Sequence, residues 1–413
     1  MLPQSHPPAP PITGRPQPRP GRRDWRGRLT PLLIVSVLAA ACAGGAATGS
    51  GGQATRGTAA SGDALNLRGV CPDTVVVQTS WFPEAEHGSV YQLLGKGYRI
   101  EAGKKRVTGP LVASGVDTGV QLQIRAGGPA IGFQQVSAQM YAEPSTTLGM
   151  LNTDELIQES TTTPMLGVVA PLDRDPQVIM WDPTEHPEWN TISDIGQTGV
   201  KVLYFQGSSY MAYLLGSGIL RQSQVDASYD GTPSRFVAEH GQIAVQGYAT
   251  EEPYEWAHET PKWNKPLQYQ LIDETGYPNY ANVLGIRVGD RDRLDGCLRK
   301  LVPIIQRAQV DFVQHPGTAI ALMLAANKAY HSSFHYDQQL AQYAVRAMLD
   351  QGIVSNGGNP TLGDFDTGRI DRLIQILKPI VKGQKKPIRD DLGVVDVVTN
   401  AYIDSHIGLT PGR

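Results

Sequence analysis

Aromatic and acidic residues follow two apolar runs of the sequence, in positions suited to binding a small organic molecule. Trp81 comes directly after the run at 74–78, and Glu252 follows a second run and precedes Pro253. An indole offers a flat apolar face to a heteroaromatic ring, and Pro253 is expected to hold Glu252 extended, with its side chain aimed into a cleft. A buried carboxylate accepts N–H bonds from a neutral or cationic ligand but repels a sulfonate. If a cleft forms here, Glu252 therefore favours a neutral or cationic ligand over an anion, whereas Trp81 taken alone is better explained as a core or lobe-packing residue.

Most of the candidate residues also have a purely structural explanation. Trp81 could be a core tryptophan, and His87 could either donate to a ligand or cap the helix that follows. Ser208 and Ser209 open a predicted helix, where they could bind a carboxylate, a sulfonate or a ring acceptor, or serve only as caps. The other candidates for ligand contact are Tyr91, Gln134, Tyr210, Tyr229 and Tyr254. Of these, Gln134 and Tyr229 could belong to ordinary turns, and Tyr254 to the protein surface.

Several kinds of catalytic and metal site are not supported by the sequence. Gly127 and Gly128 are not followed by the Gly-Lys-Ser or Gly-Lys-Thr of a phosphate-binding loop, and no Gly-x-Ser-x-Gly elbow occurs. His331 and His335 are spaced for chelation on one helix, but we assign them no third ligand and interpret them as exposed helix histidines. The sequence therefore predicts no cofactor, no metal and no catalytic residue, and a binding protein rather than an enzyme.

The segments that would position these residues alternate between strand-like and helix-like patterns. Such alternation predicts sheets flanked by helices, and after residue 288 the pattern becomes mostly helical. An apolar stripe near the C-terminus marks the core face of one helix; it comprises Leu373, Ile374, Ile376, Leu377, Ile380 and Val381. We predict an α/β fold of two lobes, each a mainly parallel sheet flanked by helices, with a helical C-terminal extension. The predicted boundaries are 71–164 plus 285–413 for lobe I, and 165–284 for lobe II.

The N-terminus has the features of an export signal. Four arginines at 22–28 precede the apolar run 32–41, which is shorter than the roughly 20 residues that a membrane-spanning helix needs. Ala39-Ala40-Ala41-Cys42 resembles a bacterial lipobox, although Ala39 stands where Leu is usual, and a short membrane anchor is the alternative. We predict a signal peptide and leader at 1–41, a lipid on Cys42 that anchors the protein to the membrane, and a flexible linker through residue 70.

Charge and cysteine content agree with an extracytoplasmic protein that does not bind nucleic acid. The formal net charge is −3, from 36 basic and 39 acidic residues, which argues against a nucleic-acid partner. With Cys42 lipidated, Cys71 and Cys297 remain as an even pair. In an oxidising compartment this pair predicts a disulfide, and two buried free thiols are the alternative.

The segment from Val75 to Tyr91 resembles a known family of binding proteins. It reads Val-Val-Val-Gln-Thr-Ser-Trp-Phe-Pro-Glu-Ala-Glu-His-Gly-Ser-Val-Tyr and is followed by Gly97-Tyr98, with further matches at 207–210, 247–254 and 361–366. These residues are similar to the periplasmic-binding proteins of the nitrate, taurine and thiamine-pyrimidine-precursor group. The resemblance covers nearly everything after residue 71. It departs from the family at 100–119, a longer link beside the expected pocket rim.

The resemblance implies a type II periplasmic-binding-protein fold and a role in an ABC importer. A monomeric receptor of this kind closes on a small-molecule ligand by a hinge motion and docks on the permease subunits. For this sequence the expected ligand is a pyrimidine-type or other nitrogen heterocycle. The alternatives are a receptor for nitrate, sulfonate or taurine-type anions, an enzyme of the pyrimidine-synthase type, and a binding module that serves as a sensor.

Overall fold

The computed structural model describes residues 64–332 and 334–410. The predicted signal peptide, Cys42 and most of the linker lie outside these residues. The strands of the described residues are β1 (Thr74–Gln78), β2 (Arg99–Glu101), β3 (Arg106–Ala113), β4 (Val116–Arg125), β5 (Leu148–Leu151), β6 (Met165–Val169), β7 (Gln177–Trp181), β8 (Val202–Leu203), β9 (Val225–Asp226), β10 (Ala244–Tyr248), β11 (Gln268–Leu271) and β12 (Val283–Arg287). Their α-helices are α1 (Gly88–Tyr91), α2 (Val136–Ala142), α3 (Thr153–Gln158), α4 (Ile192–Gly196), α5 (Ser209–Gly216), α6 (Ser234–Ala238), α7 (Glu252–His258), α8 (Arg291–Gln314), α9 (Gly317–Tyr330), α10 (Gln338–Asp350), α11 (Thr367–Gly383) and α12 (Val394–Val397).

The strands form two sheets flanked by helices, as the sequence predicted. The larger sheet has the order β2-β3-β4-β1-β5-β12-β6, and the smaller has the order β11-β7-β10-β8-β9. Among the described strands, β1 pairs in parallel with β4 and β5, and β8 pairs in parallel with β9 and β10; the remaining strand pairs are antiparallel. Both sheets are therefore mixed, which corrects the expected mainly parallel pairing. The apolar runs predicted the strands but carried no information on their direction.

The chain crosses between the two sheets later than the sequence suggested. β6 pairs with β12 in the larger sheet, although the predicted boundary assigned residues 165–169 to the second lobe. The crossover segments are therefore residues 170–176 and 272–282. We call residues 177–271 the smaller lobe, and the other described residues outside the crossovers the larger lobe. A buried apolar run such as Met-Leu-Gly-Val-Val is compatible with either sheet, so the sequence of β6 does not indicate to which sheet the strand belongs.

Residues 100–119 form a hairpin on the outer edge of the larger sheet. β3 pairs with both β2 and β4, and the turn between β3 and β4 contains Ser114 and Gly115, both with positive φ. None of these residues lines the cavity described below. The longer link at 100–119 thus adds strands to the edge of the sheet and contributes nothing to the cavity wall.

The C-terminal helices cover the larger sheet and reach the smaller lobe. α8 packs along α1, and α11 contacts both α3 and α5. The predicted apolar stripe of α11 is confirmed, because Leu373, Ile374, Leu377 and Val381 are buried. Among the described residues, no helix combines the length and the apolar character that crossing a bilayer requires.

Arg369, in the first turn of α11, holds the two crossover segments together. Its guanidinium donates to the carbonyl oxygens of Asp173 (2.7 Å) and Pro278 (3.0 Å), which belong to different crossovers. It also lies 3.7 Å from the ring centroid of Tyr280. Asn279 donates its amide to Asp175 Oδ2 at 2.7 Å, which adds a direct bond between the crossovers.

A disulfide joins the start of the larger sheet to its main covering helix. Cys71 lies shortly before β1, Cys297 lies in α8, and their Cα atoms are 4.7 Å apart. Both side chains are buried. The bridge closes a loop across 226 residues, so it removes much conformational freedom from the unfolded chain.

We expect the variant Cys71→Ser/Cys297→Ser to lose about 2–5 kcal/mol of unfolding free energy, because the unfolded chain regains the freedom that the bridge restricts. Urea denaturation with and without dithiothreitol measures this loss. Reductant should shift the wild-type transition to that of the variant and should leave the variant unchanged. Two reactive thiols at positions 71 and 297 in unreduced, denatured protein would contradict the expectation.

Candidate functional site

A cavity of about 260 Å³ lies between the two lobes. The larger lobe contributes Ser80, Trp81, Glu84, Phe334 and His335 to its wall. The smaller lobe contributes Gln177, Phe205, Ser208, Gln246, Tyr248 and the start of α7, together with the turn 231–233. The wall is assembled largely where strands β1, β8 and β10 end, which is where open α/β sheets bind their ligands.

One side of the cavity is aromatic. The ring centroid of Trp81 lies 5.9 Å from that of Phe205, so aromatic residues of both lobes meet here. Gly128 supports Trp81 from behind; a Cβ at this position would lie 2.2 Å from the indole, and its φ of +55° also favours glycine. Tyr229 packs on Phe205 with ring centroids 4.9 Å apart. This side can accept the flat face of a ring.

The other side of the cavity is acidic. Glu84 follows β1, and Glu251, Glu252 and Glu255 come from the first turn and a half of α7. No lysine or arginine lines the cavity within the described part of the chain, and His335 is the one basic side chain on its wall. Oε1 of Glu251 is buried and has no hydrogen-bond partner among the described residues. The wall therefore offers acceptors to a donor-rich ligand.

Burial and crowding shift these carboxyl groups toward their protonated forms. Burial is the main cause that raises the pKa of Glu252 to about 7 and that of Glu255 to about 8. Burial, followed by neighbouring carboxylates, also raises the pKa values of Glu84 and Glu251 well above their usual range. Protons therefore neutralise part of this cluster near neutral pH, and a bound cation would displace them.

Glu252 begins α7, which corrects the expectation that Pro253 would keep it extended. Pro253 lies in the first turn of the helix, where its missing N–H is not needed. The carboxylate of Glu252 turns back and accepts from the Tyr248 amide at 2.6 Å, while Tyr229 Oη lies 3.5 Å from Oε1. Gly247 leaves room for this arrangement, because a Cβ there would lie 3.1 Å from Oε2.

His87 lies behind the cavity wall, where it is fully buried and makes no cap bond to the following helix. Burial lowers its pKa to about 3, so the imidazole is neutral. Its Nε2 lies 3.0 Å from Ser80 Oγ and 3.3 Å from Glu84 Oε1. Ser80 in turn donates to Asn282 Oδ1 at 2.6 Å. Because serine and acid share one ring nitrogen, this group does not have the arrangement of a serine–histidine–acid relay.

The structure brings some of the predicted site residues together and separates others. Trp81, Ser208 and Glu252 line the cavity. Tyr229 and Tyr210 lie directly behind it, the latter through a 2.7 Å bond to Gln246. Four candidates lie outside the wall. Gln134 is exposed, and Ser209 is half-buried but does not line the cavity. Tyr91 is buried in the core of the protein, and Tyr254 stacks on Tyr343 between the lobes.

The sequence analysis missed Glu84, Glu251 and Glu255. A signal for them existed, because all three lie within the two segments singled out as motifs, 75–91 and 247–254, or one residue beyond. Phe205, Gln177, Gln246 and Phe334 had no comparable signal. They meet the acids only because the two lobes come together.

The lobes contact each other directly beside the cavity. Tyr343 of α10 donates to the carbonyl of Ala249 at 3.0 Å, and its ring stacks on Tyr254 with centroids 4.8 Å apart. Thr250 Oγ1 of the smaller lobe donates to Glu86 of the larger lobe. These bonds join the two lobes directly beside the cavity.

Comparison with known proteins identifies the fold. No family model matches the sequence, and no curated protein matches it. The periplasmic aliphatic sulphonate binding protein SsuA of Escherichia coli superposes with a TM-score of 0.50 at 15% identity, over 83% of this chain and 95% of that one. A protein from Bordetella bronchiseptica RB50 superposes with a TM-score of 0.50 at 14% identity, over 80% and 96% of the two chains. The described residues therefore have the periplasmic-binding-protein fold.

Proposed function

We propose that this chain is the extracytoplasmic substrate-binding component of an ABC importer and that it captures a small nitrogen heterocycle or related cationic solute between its lobes. The observation that carries the proposal is the cavity wall, in which four carboxyl groups face an aromatic side with no lysine or arginine among the described lining residues. A cavity of about 260 Å³ suits a small organic molecule.

The charge of the wall argues against an anionic ligand. The superposed Escherichia coli protein is named for binding aliphatic sulphonates, but a sulfonate placed beside Glu251, Glu252 and Glu255 would face a like charge at each of these carboxyl groups that is ionised. Like charges about 4 Å apart repel by about 4 kcal/mol at an effective dielectric constant of 20. An amidinium or an aminopyrimidine instead presents N–H donors to the carboxylates and a flat face to Trp81.

Export, lipid attachment and docking on a permease complete the proposal. The Cys71–Cys297 disulfide supports an oxidising compartment outside the cytoplasm. The predicted lipid on Cys42 would keep the receptor, as a monomer, close to its permease. The closed lobes, held by the Tyr343 and Thr250 contacts, present the arrangement that such a permease would recognise.

We expect 4-aminopyrimidines and aromatic amidines to raise the melting temperature in a thermal-shift screen, because a ligand that binds only the folded state stabilises it. Taurine, alkanesulfonates and nitrate should leave it unchanged, since the acidic wall repels them. The screen uses the full exported chain. Stabilisation by sulfonates and not by nitrogen bases would contradict the proposal.

We expect Trp81→Ala to weaken binding of the best base from that screen about 2- to 10-fold, because stacking on the indole contributes about 0.5–1.5 kcal/mol. Glu252→Gln should weaken it about 10- to 100-fold, as hydrogen bonds to charged groups contribute about 1.5–3 kcal/mol. Isothermal titration calorimetry measures both. Tyr98→Ala and Glu185→Gln, which change exposed residues, are the matched controls. Affinities equal to wild type in both site variants would place the site elsewhere.

The affinity for an amidinium probe, whose charge is constant over this range, should fall as the pH drops from 8 to 6. The pKa values of Glu252 (about 7) and Glu255 (about 8) mean that both carboxyl groups gain protons in this window. A cation must displace those protons, so one coupled proton lowers the affinity by up to about 10-fold per pH unit. Calorimetry in two buffers of different ionisation enthalpy should show proton release. A flat pH profile without proton release would contradict the coupling.

A further inference from the structure

Three potential metal ligands meet at the edge of the cavity, where the two lobes touch. Glu259 ends α7 in the smaller lobe, whereas His335 and Asp337 lie just before α10 in the larger lobe. His335 Nε2 is 2.8 Å from Glu259 Oε2, and one ligand atom from each residue lies within 4.8 Å of the other two. Within the described residues this is the one group of three or more such side chains that meets at this distance.

The cluster itself holds more acidic than basic side chains. Two carboxyl groups face a single imidazole, so with both of them ionised the cluster stays negative even when His335 is protonated. Asp337 is fixed in place because its Oδ1 caps α10, accepting from the amides of Gln339 (2.7 Å) and Leu340 (2.9 Å). That cap occupies one oxygen and leaves Oδ2 available for a ligand bond.

We propose that Glu259, His335 and Asp337 bind a divalent transition-metal ion of the Zn²⁺ class, which joins the two lobes at the mouth of the cavity. One imidazole nitrogen and two carboxylate oxygens suit Zn²⁺, whereas Ca²⁺ and Mg²⁺ take oxygen ligands almost exclusively. Ligand atoms about 2.1 Å from a tetrahedral zinc ion are about 3.4 Å apart. The 2.8 Å between His335 Nε2 and Glu259 Oε2 therefore has to widen slightly when the ion binds.

The position of the ion gives it a role in closure. Tyr254 donates to Gln339 Oε1 at 3.2 Å, so the lobes already meet next to the cluster. A metal ion bound to both lobes would add coordinate bonds that exist only in the closed arrangement. His335 also lines the ligand cavity, so the proposed metal site borders that cavity. The metal site does not require the organic ligand proposed above, and each can be tested without the other.

This cluster corrects the interpretation of His331 and His335 as a pair on one helix. α9 ends at Tyr330, His331 adopts a positive φ, and the residues before α10 are not helical where the structure describes them. The third ligand, Glu259, comes from a segment more than 70 residues away, which the spacing of the histidines cannot indicate.

Calorimetric titration of the chelator-treated, full exported chain with ZnCl₂ tests the proposal. We expect one zinc ion per chain, and a loss of affinity of at least 10-fold in both His335→Ala and Asp337→Asn. Asparagine also caps helices, so the second variant keeps α10 intact and guards against a folding defect in the first. Co²⁺ should bind with the same stoichiometry and give the visible absorption of a tetrahedral or five-coordinate site.

The matched control is His406→Ala, which removes an exposed histidine that also pairs with an aspartate, 3.1 Å away, but lacks a second carboxylate. This variant should bind zinc as the wild type does. Small-angle scattering of the wild type should show a smaller radius of gyration with zinc than with chelator. The proposal is overturned if zinc does not bind, or if His335→Ala and Asp337→Asn both bind it as tightly as the wild type. In either case the cluster is only an ion pair between the lobes.

Discussion

The guanidinium of Arg369 links the two segments by which the chain passes between the lobes. It donates to the backbone of both crossover segments and lies against the ring of Tyr280, so one side chain fixes the two points at which the chain passes between sheets. Arginine suits this position because its planar fork delivers several donors in fixed directions, which the single ammonium of lysine does not. The second crossover then leads directly to Asn282, which accepts the hydroxyl of Ser80 in the cavity wall. The crossover and the cavity wall are thus connected through one short stretch of backbone.

Closure of the lobes creates the electrostatic character of the site. Glu84 and Glu86 belong to the larger lobe, whereas Glu251, Glu252 and Glu255 belong to the smaller. If the lobes were apart, water would screen these groups from one another. In the closed arrangement they share one poorly solvated volume, so burial and mutual repulsion raise their pKa values. The donor-rich ligand proposed for this cavity would offset this cost by hydrogen bonding to the carboxyl groups.

The sequence predicted more of the fold than of the site, and the reason lies in the range of the interactions. Apolar periodicity is local, so the strand at 74–78 and the buried face of α11 were correctly placed. Strand direction and the assignment of β6 depend on pairing between distant segments, and both differed from expectation. Trp81 and Glu252 follow strands, and that local signal placed them in the cavity wall. Tyr254 carried a similar signal but packs on Tyr343, a residue almost 90 positions later.

The number of carboxyl groups in the wall constrains the proposed ligand more than their negative charge alone does. A single cation neutralises one carboxylate, so the others must hold protons or accept N–H bonds. A protonated carboxyl group donates, whereas its ionised neighbour accepts, and such a pair matches an edge that carries both a ring nitrogen and an amino group. Aminopyrimidines have that edge, and simple alkylammonium ions do not. Two such carboxyl groups are consecutive in the chain. Glu251 has a buried oxygen with no partner among the described residues, and Glu252 already accepts from the Tyr248 amide. This pairing favours a heterocycle over a simple amine as the solute that the lobes enclose.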